Sequence, residues 1–350
     1  MSRQRVAVIF GGRSAEHEVS IVSARSVMAA LDPVRWEVVP IGISRSGAWL
    51  TPVETRAALE AGAVAFREIG RPLLHAGEAL AALAACDVAF PLVHGTFGED
   101  GTLQGLLEMA GLPYAGAGVA ASAIGMDKAL MKALFREAGI PVARYSVIRS
   151  WEYTLHQNMS IELIEEAIGY PCFVKPANGG SSVGITKVRS REDLPGAFAA
   201  AFAWDDKAVV EQAIVGRELE CSVLGNEQPE ASVVGEIVPD REFYDYASKY
   251  DPASRTELYI PAPITRAVAD DARQLALRMY QVMGCEGYAR VDFFLTTDDR
   301  LIANEVNTIP GFTSISMYPK LWEASGLPYR DLLTRILELA LERHQRRNAR

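Results

Sequence analysis

Five consecutive apolar residues, Val6 to Phe10, run without a polar break into Gly11-Gly12. A run of this kind is a strand buried on both faces, and the glycine pair turns it sharply. After it, Ile21, Val22, Val27, Met28 and Leu31 recur at helical spacing from Ser20 to Leu31. Val38 to Ile43 reads as a second strand. Asp87 to Val93 is another apolar run, followed by a Gly-rich turn and a helix from Leu103 to Ala110. This alternation predicts a parallel sheet covered by helices, ending near Ala123. Between Ser44 and Ala85 the pattern is less decisive and fits strands, loops and an Ala-rich helix.

The 350 residues exceed one compact core and predict two or three domains. A net charge of −9 argues against a nucleic-acid partner, because such binding rests on phosphate neutralisation. Cys86, Cys172, Cys221 and Cys285 lie far apart, with no CxxC pair and no histidine cluster nearby. That spacing disfavours structural zinc and a disulfide scaffold, and fits a reduced compartment. The N-terminus carries no signal-peptide pattern, and no stretch approaches the ~20 apolar residues of a membrane span. The expectation is a cytoplasmic protein with no membrane partner.

Further along, Asp127 to Gly139 reads as a helix stopped by Gly139 and Pro141. Cys172 to Lys175 and Gly184 to Val188 read as strands joined by a Gly- and Ser-rich turn. Val209-Val210-Glu211 and Glu220 to Leu224 are further strands. Pro239 to Pro263 is polar and has no period. A loop of that length inside a domain is usually functional, often a lid. Asp270 to Met283 is an amphipathic helix, and two strands and terminal helices follow. The basic tail, Arg343 to Arg350, reads as a solvated helix end.

The stretch "YARVDFFLTTDDRLIANEVNTIPG" (288–311) places two apolar runs around Thr296-Thr297-Asp298-Asp299, the pattern of a hairpin. With Asp298-Asp299 as a two-residue turn, Thr297 pairs with Arg300. Counting outward sets Asp292 opposite Glu305 and Arg290 opposite Asn307. Opposed residues share a face, so these four converge, while Val291, Phe293 and Val306 point the other way. Two carboxylates and an amide oxygen suit Mg²⁺, and the absence of nearby Cys or His argues against zinc. Arg290 beside them can bind a phosphoryl group or a developing oxyanion. The plain alternative is a solvated sheet face with one ion pair.

In "FVKPANGGSSVGITKV" (173–188), Lys175 ends a strand, and Gly179, Gly180, Ser181, Ser182 and Gly184 follow. Such a loop can close over phosphates through its backbone N–H groups. It is not a Walker A loop, since it lacks GK[ST] and leads into a strand. Lys175 on an apolar strand needs a partner, because lysine is rarely buried alone. Lys128, at a helix start, reads equally as a surface lysine. Glu211 and Glu218 bracket a short turn and either accept ribose hydroxyls or face water.

Taken together, seven segments in order resemble the D-alanine–D-alanine ligase family of ATP-grasp ligases, over nearly the whole chain. They are "GGRSAEHEVS" (11–20), "HGTFGEDGTLQGLLEMAGLPYAG" (94–116), "MDK" (126–128), "KPANGGSSVG" (175–184), "FYDYASKY" (243–250), "ARVDFF" (289–294) and "NEVNTIPGFTSISMYP" (304–319). The resemblance implies an ATP-grasp fold of three domains: a parallel α/β domain (1–125), a small central α+β domain (126–216), and a C-terminal α+β domain with an antiparallel sheet (217–350). The C-terminal domain would carry a lid at 239–263.

By the same resemblance, Lys128 and Lys175 hold the ATP phosphates beneath Ser181 and Ser182, and Glu211 and Glu218 contact adenine and ribose. Asp292, Glu305 and Asn307 ligate two Mg²⁺ or Mn²⁺ ions. Arg290 and the Gly311 amide stabilise the tetrahedral intermediate. Glu16 receives the first D-alanine's ammonium, and Ser316 and the Met317 amide hold the second substrate's carboxylate. Tyr250, Ser181 and Glu16 latch the lid, and Lys249 reaches the γ-phosphate. His94 is placed either near the first substrate or as a turn cap. A homodimer acting on small molecules is implied.

The chemistry these roles require is consistent. A carboxylate acylates poorly until ATP converts it to an acyl phosphate, and cations neutralise the transferring phosphoryl group. Acyl phosphates hydrolyse, so a lid must exclude water. The rival readings are a D-alanine–D-lactate or D-serine ligase, an inactive nucleotide-binding regulator, and a NAD-dependent dehydrogenase. "GGRSAEHE" lacks the GxGxxG of the dehydrogenase.

Overall fold

The computed structural model describes residues 3–62, 66, 69–239, 256–313 and 315–349. Its strands form three sheets. In the first, β1 (Gln4–Gly11) lies between β2 (Trp36–Ile43) and β3 (Val88–Pro91), all parallel. Val6, Val8 and Phe10 pack on Ile21, Ala24 and Val27 of α1 (His17–Ala30), while Ala7 and Ile9 face Leu103 and Leu107 of α4 (Thr102–Met109). The predicted burial on both faces follows from this alternation, and all five residues of the run are 0% exposed.

The first core is not closed by its own helices alone. Leu332, Leu333, Ile336 and Leu337 of the last helix, α12 (Tyr329–Asn348), belong to the same apolar cluster as β1 and β3. The expectation of a solvated helix end holds for Gln345, Arg347, Asn348 and Ala349, which are exposed, but not for the first residue of the run. Arg343 is 3% exposed and donates to the Tyr114 carbonyl at 2.6 Å and to that of Gly116. Arg346 and Arg347 both pair with Glu286. The run reads as solvated because composition does not reveal that the helix it ends packs its earlier leucines on the first sheet.

The central sheet is antiparallel, in the order β4 (Tyr145–Arg149), β7 (Lys207–Gln212), β5 (Cys172–Pro176), β6 (Thr186–Val188). Ile161 and Ile164 of α8 (Gln157–Ala167) and Phe198 of α9 (Leu194–Phe202) cover one face. β4 is absent from the sequence reading, since only Ile148 of it is buried. The third sheet runs β10 (Glu257–Tyr259), β9 (Glu230–Val238), β8 (Gly216–Gly225), β11 (Gly287–Thr296), β12 (Leu301–Asn307), again antiparallel. β10 thus occupies part of the stretch expected to be loop. Residues 240–255, most of the expected lid with Lys249 and Tyr250, lie outside the described residues. Helix α10 (Arg266–Val282) starts four residues earlier than predicted, because the Thr265 hydroxyl accepts from Val268 N and caps it.

The β11–β12 hairpin reaches the predicted pairs by a different route. Thr296, not Thr297, pairs with Arg300, and Asp299 is left-handed (φ 58°) at the end of a three-residue loop. A bulge then shifts the register between Asp292 and Phe293, so Phe293 faces Ala303 while Asp292 faces Glu305 and Arg290 faces Asn307. The one-residue difference at the turn is cancelled by the extra residue, Asn304, at the bulge.

Candidate active site

A cavity of about 450 Å³ lies between the central and third sheets. It is lined from one side by Lys128, Lys175, Ser181, Ser182 and Glu211, and from the other by Glu218, Arg290, Asp292 and Glu305. On the central side, Asp127 caps α6 (Lys128–Glu137), accepting from Ala129 N at 3.0 Å and Leu130 N at 3.1 Å. That cap fixes the two lysines of α6 that face the cavity. Lys128 Nζ donates to the Gly179 carbonyl at 2.6 Å, so it bears on the glycine-rich loop rather than facing solvent as a surface lysine would. Burial lowers its pKa, with the neighbouring lysine charges adding to that.

Glu211 is 4% exposed, which removes the option that it faces water, and it bridges Lys175 and Lys132. Burial alone would raise its carboxyl; the two ammonium groups outweigh this and bring it down to about 2. Lys175 responds in the opposite sense. Burial disfavours its charge, but the Glu211 carboxylate dominates and its pKa rises.

The glycine-rich loop places two successive non-glycine residues in the left-handed region, Ser181 (φ 49°) and Ser182 (φ 59°). Such residues cost roughly 1 kcal/mol each and turn successive N–H groups toward one side, a backbone suited to oxyanions. Ser181 Oγ donates to Glu16. A Cβ on Gly180 would stand 2.5 Å from that carboxylate, so a larger residue there would push the Glu16 side chain aside.

On the third sheet, Asp292 stands between Glu220 of β8 and Glu305 of β12, three carboxylates in one cross-strand row. Arg290, two residues earlier on the same face, offsets them. It donates to Asp292 through Nε at 2.8 Å and Nη2 at 2.7 Å, and its Nε lies 3.1 Å from Glu220. Burial opposes the guanidinium charge, yet Asp292 and Glu220 hold its pKa well above the ordinary value. Among the described residues no three His, Cys, Asp or Glu side chains gather as a metal site. The hairpin instead offers two carboxylates and the Asn307 amide, an all-oxygen donor set that fits Mg²⁺.

Glu16, His94, Asn307, Gly311, Ser316 and Met317 do not line this cavity. They are knitted together beside it. Asn307 Oδ1 accepts from Ile309 N at 3.1 Å, and His94 Nδ1 donates to the Ile309 carbonyl at 2.9 Å. Its other ring nitrogen lies 3.2 Å from Ser23 Oγ. Burial lowers the His94 pKa, which keeps the ring neutral in this arrangement. Gly311 backs onto Ser316: a Cβ there would meet Ser316 Oγ at 2.8 Å. Ser316 precedes α11 (Met317–Ala324), so the Met317 amide is one of the first-turn donors that no helical carbonyl satisfies.

Four acidic or basic groups at the site escape sequence reasoning. Lys132 lies one helical turn after Lys128, and Glu220 two strand positions after Glu218, so both were legible as same-face partners. Glu236, which grips Arg217 at 2.6 and 2.7 Å, is on the unpredicted strand β9. Glu99 accepts from Gly95 N at 2.6 Å and Ile309 N at 3.1 Å. Burial and the Glu16 charge push its carboxyl up to about 8 despite those donors. No sequence signal distinguishes it within a turn.

Comparison with known proteins places this architecture. Residues 5–117 match the family model "D-ala D-ala ligase N-terminus", and residues 134–338 match "D-ala D-ala ligase C-terminus". The chain belongs to the D-alanine–D-alanine ligase family. Members of it include the D-alanine–D-alanine ligase of Geobacillus kaustophilus, 47% identical over 98% of this chain and 96% of that one. D-alanine–D-alanine ligase A of Escherichia coli is 46% identical over 100% and 99%. The structure of the D-alanine–D-alanine ligase from Coxiella burnetii superposes with a TM-score of 0.84 at 37% identity, covering 100% of this chain and 97% of that one. A D-Ala:D-Ser ligase from Enterococcus faecalis gives 0.81 at 33% identity, covering 97% and 100%. The ATP-grasp fold expected from the sequence is the fold observed.

Proposed function

We propose that this chain joins two D-alanines into D-alanyl-D-alanine at the expense of ATP, through a D-alanyl phosphate, in the supply of peptidoglycan precursors. The observation that carries this is the opposition, across one cavity, of Lys128 and Lys175 to the hairpin carboxylates Asp292 and Glu305. Cations on one wall and oxygen ligands on the other suit a metal-bound triphosphate. D-alanine–D-alanine ligases at 46–47% identity support D-alanine as second substrate over D-lactate or D-serine.

In this reading residues 1–125, 126–216 and 217–350 are the three functional units, with the lid at 239–263. Lys128 and Lys175 bind the nucleotide phosphates, Ser181 and Ser182 cover them, and Glu211 and Glu218 contact adenine and ribose. Asp292, Glu305 and Asn307 would hold two Mg²⁺ or Mn²⁺ ions, which supply charge neutralisation at the transferring phosphoryl group. Glu16 takes the ammonium of the first D-alanine, with His94 holding the turn beside it. Ser316 and the Met317 amide take the carboxylate of the second. Arg290 and the Gly311 amide donate to the oxyanion as the amine attacks. The Glu16–Ser181 contact is half of a latch that Tyr250 completes, and Lys249 reaches the γ-phosphate; both of these lie outside the described residues.

The same reading carries a homodimeric assembly and a cytoplasmic location. No described helix is long and apolar enough to cross a membrane. A coupled assay of phosphate release tests the substrate choice. Release that saturates with D-alanine and ATP alone, with D-alanyl-D-alanine as product, is expected. Release that requires added D-lactate or D-serine would assign the chain to one of those chemistries instead.

A further inference from the structure

Lys132 has no role in the reading above, and its side chain is only 2% exposed. A lysine so far from water stays charged only beside a carboxylate. That carboxylate is Glu211, whose two oxygens are divided: one pairs with Lys132, the other with Lys175. The two lysines differ in exposure. Both line the cavity, but the Lys175 side chain, on β5, is 14% exposed and open to an entering ligand, whereas Lys132, on α6, is closed off at 2%.

This division matters when an anion enters. With one lysine alone, Glu211 and Lys175 would form a closed buried pair. Drawing Lys175 toward a phosphate would then leave a buried carboxylate unpaired, a change that opposes binding. With Lys132 on its other oxygen, Glu211 keeps a counter-charge whichever way Lys175 turns. We propose that Lys132 is a positioning residue that holds Glu211 neutralised, so that Lys175 can exchange its carboxylate for the nucleotide phosphates. This rests on the reading of the cavity as the ATP site.

The test uses the full chain and two probes, AMP-PNP and adenosine, in equilibrium binding. Lys132→Met is expected to weaken AMP-PNP about tenfold more than it weakens adenosine, because both ligands share the Glu211 contact and only AMP-PNP brings phosphates to Lys175. A lysine that merely supports the fold would weaken both alike, and that outcome overturns the proposal. Unchanged AMP-PNP affinity overturns it too. Lys132→Met together with Glu211→Gln removes both charges, leaves only the part-exposed Lys175 without its carboxylate, and keeps the question answerable should the single variant not fold. Its AMP-PNP affinity should lie within about threefold of Glu211→Gln alone, because the lysine acts through that carboxylate. A tenfold gap between these two variants would mean it acts otherwise. Failure of the unaltered protein to bind AMP-PNP would instead sink the ATP-site reading itself.

Discussion

Arg290 Nε lies 3.1 Å from a carboxylate oxygen of Glu220 and 2.8 Å from Asp292. On the proposed reading Asp292 is a cation ligand and would be drawn toward the metal. Glu220 would then be the carboxylate that keeps the guanidinium aimed at the developing oxyanion. Glu220→Gln should therefore lower kcat about tenfold to a hundredfold while the KM for ATP moves less than about threefold. Steady-state phosphate release separates the two constants. A parallel rise in KM for ATP would place Glu220 in nucleotide binding instead.

Glu305 stands opposite Asp292 in the hairpin and is half-buried beside the Lys128 charge. Glu305→Gln keeps the shape and one oxygen but removes the negative charge a divalent cation requires. D-alanyl-D-alanine synthesis should fall more than about a hundredfold, with melting temperature lowered, since the Glu305 charge also offsets those of Lys128, Lys175 and Arg290. Near-normal synthesis at saturating Mg²⁺ would remove Glu305 from the metal site.

The Ser181–Glu16 hydrogen bond joins the central sheet's loop to the loop after β1, across 165 residues of chain. Ser181→Ala removes the donor and leaves Glu16 less fixed. The KM for D-alanine should rise several-fold to about tenfold, and ATP hydrolysis without peptide formation should increase as the loop opens. Measuring phosphate and dipeptide in the same reaction reads both. Equal losses in each product would show that the contact serves chemistry and not closure.

The parts of this molecule that obey a short period are legible in the amino-acid sequence itself. Val6 to Phe10 marks a doubly buried strand, and the spacing of Arg290, Asp292, Glu305 and Asn307 marks a shared face. Even there, counting from the turn sets the hairpin off by one residue, and only the compensating bulge at Asn304 keeps the pairs correct. What stays hidden depends on partners distant along the chain. Glu99 meets Ile309 across 210 residues, and Lys132 meets Glu211 from another element. β4 and β9 lack the contrast that marks a half-buried strand, since β4 buries only Ile148 and β9 is mostly buried. The basic tail misleads for a related reason, because charge composition cannot say which arginine turns inward.

The two ammonium groups on Glu211 give stability a defined acid limb. Burial alone would raise the carboxyl, but Lys132 and Lys175 bring it from 4.5 to about 2. As pH falls, the unfolded chain takes up the proton first. The contribution is complete above 4.5 and is lost as pH drops toward 2, and it amounts to roughly 3 kcal/mol. Glu211→Gln lacks it at every pH. The gap in urea midpoint between the two proteins should be wide at pH 6 and narrow by pH 3. A gap that stays constant across that range would show that the glutamate owes its effect to packing and not to charge.

Arg343 offers a test of how the first and last segments of the chain are held together. It is 3% exposed on α12, and its guanidinium carbon lies 4.4 Å from the centre of the Tyr114 ring. Its two terminal nitrogens donate to the carbonyls of Tyr114 and Gly116, in the segment that follows the first sheet. Burial lowers its pKa, a sign that its hydration is not fully replaced. Arg343→Ala would leave two carbonyls without donors and empty the space over the ring, at a cost of roughly 3 kcal/mol. Lysine restores charge but only one point of contact in place of a planar fork, so Arg343→Lys should recover less than half of that loss. Both variants should unfold at lower urea, while the KM for ATP of the folded fraction stays within about twofold. A shift in KM without a shift in the midpoint would mean that this tie acts on the cavity rather than on the stability of the first sheet.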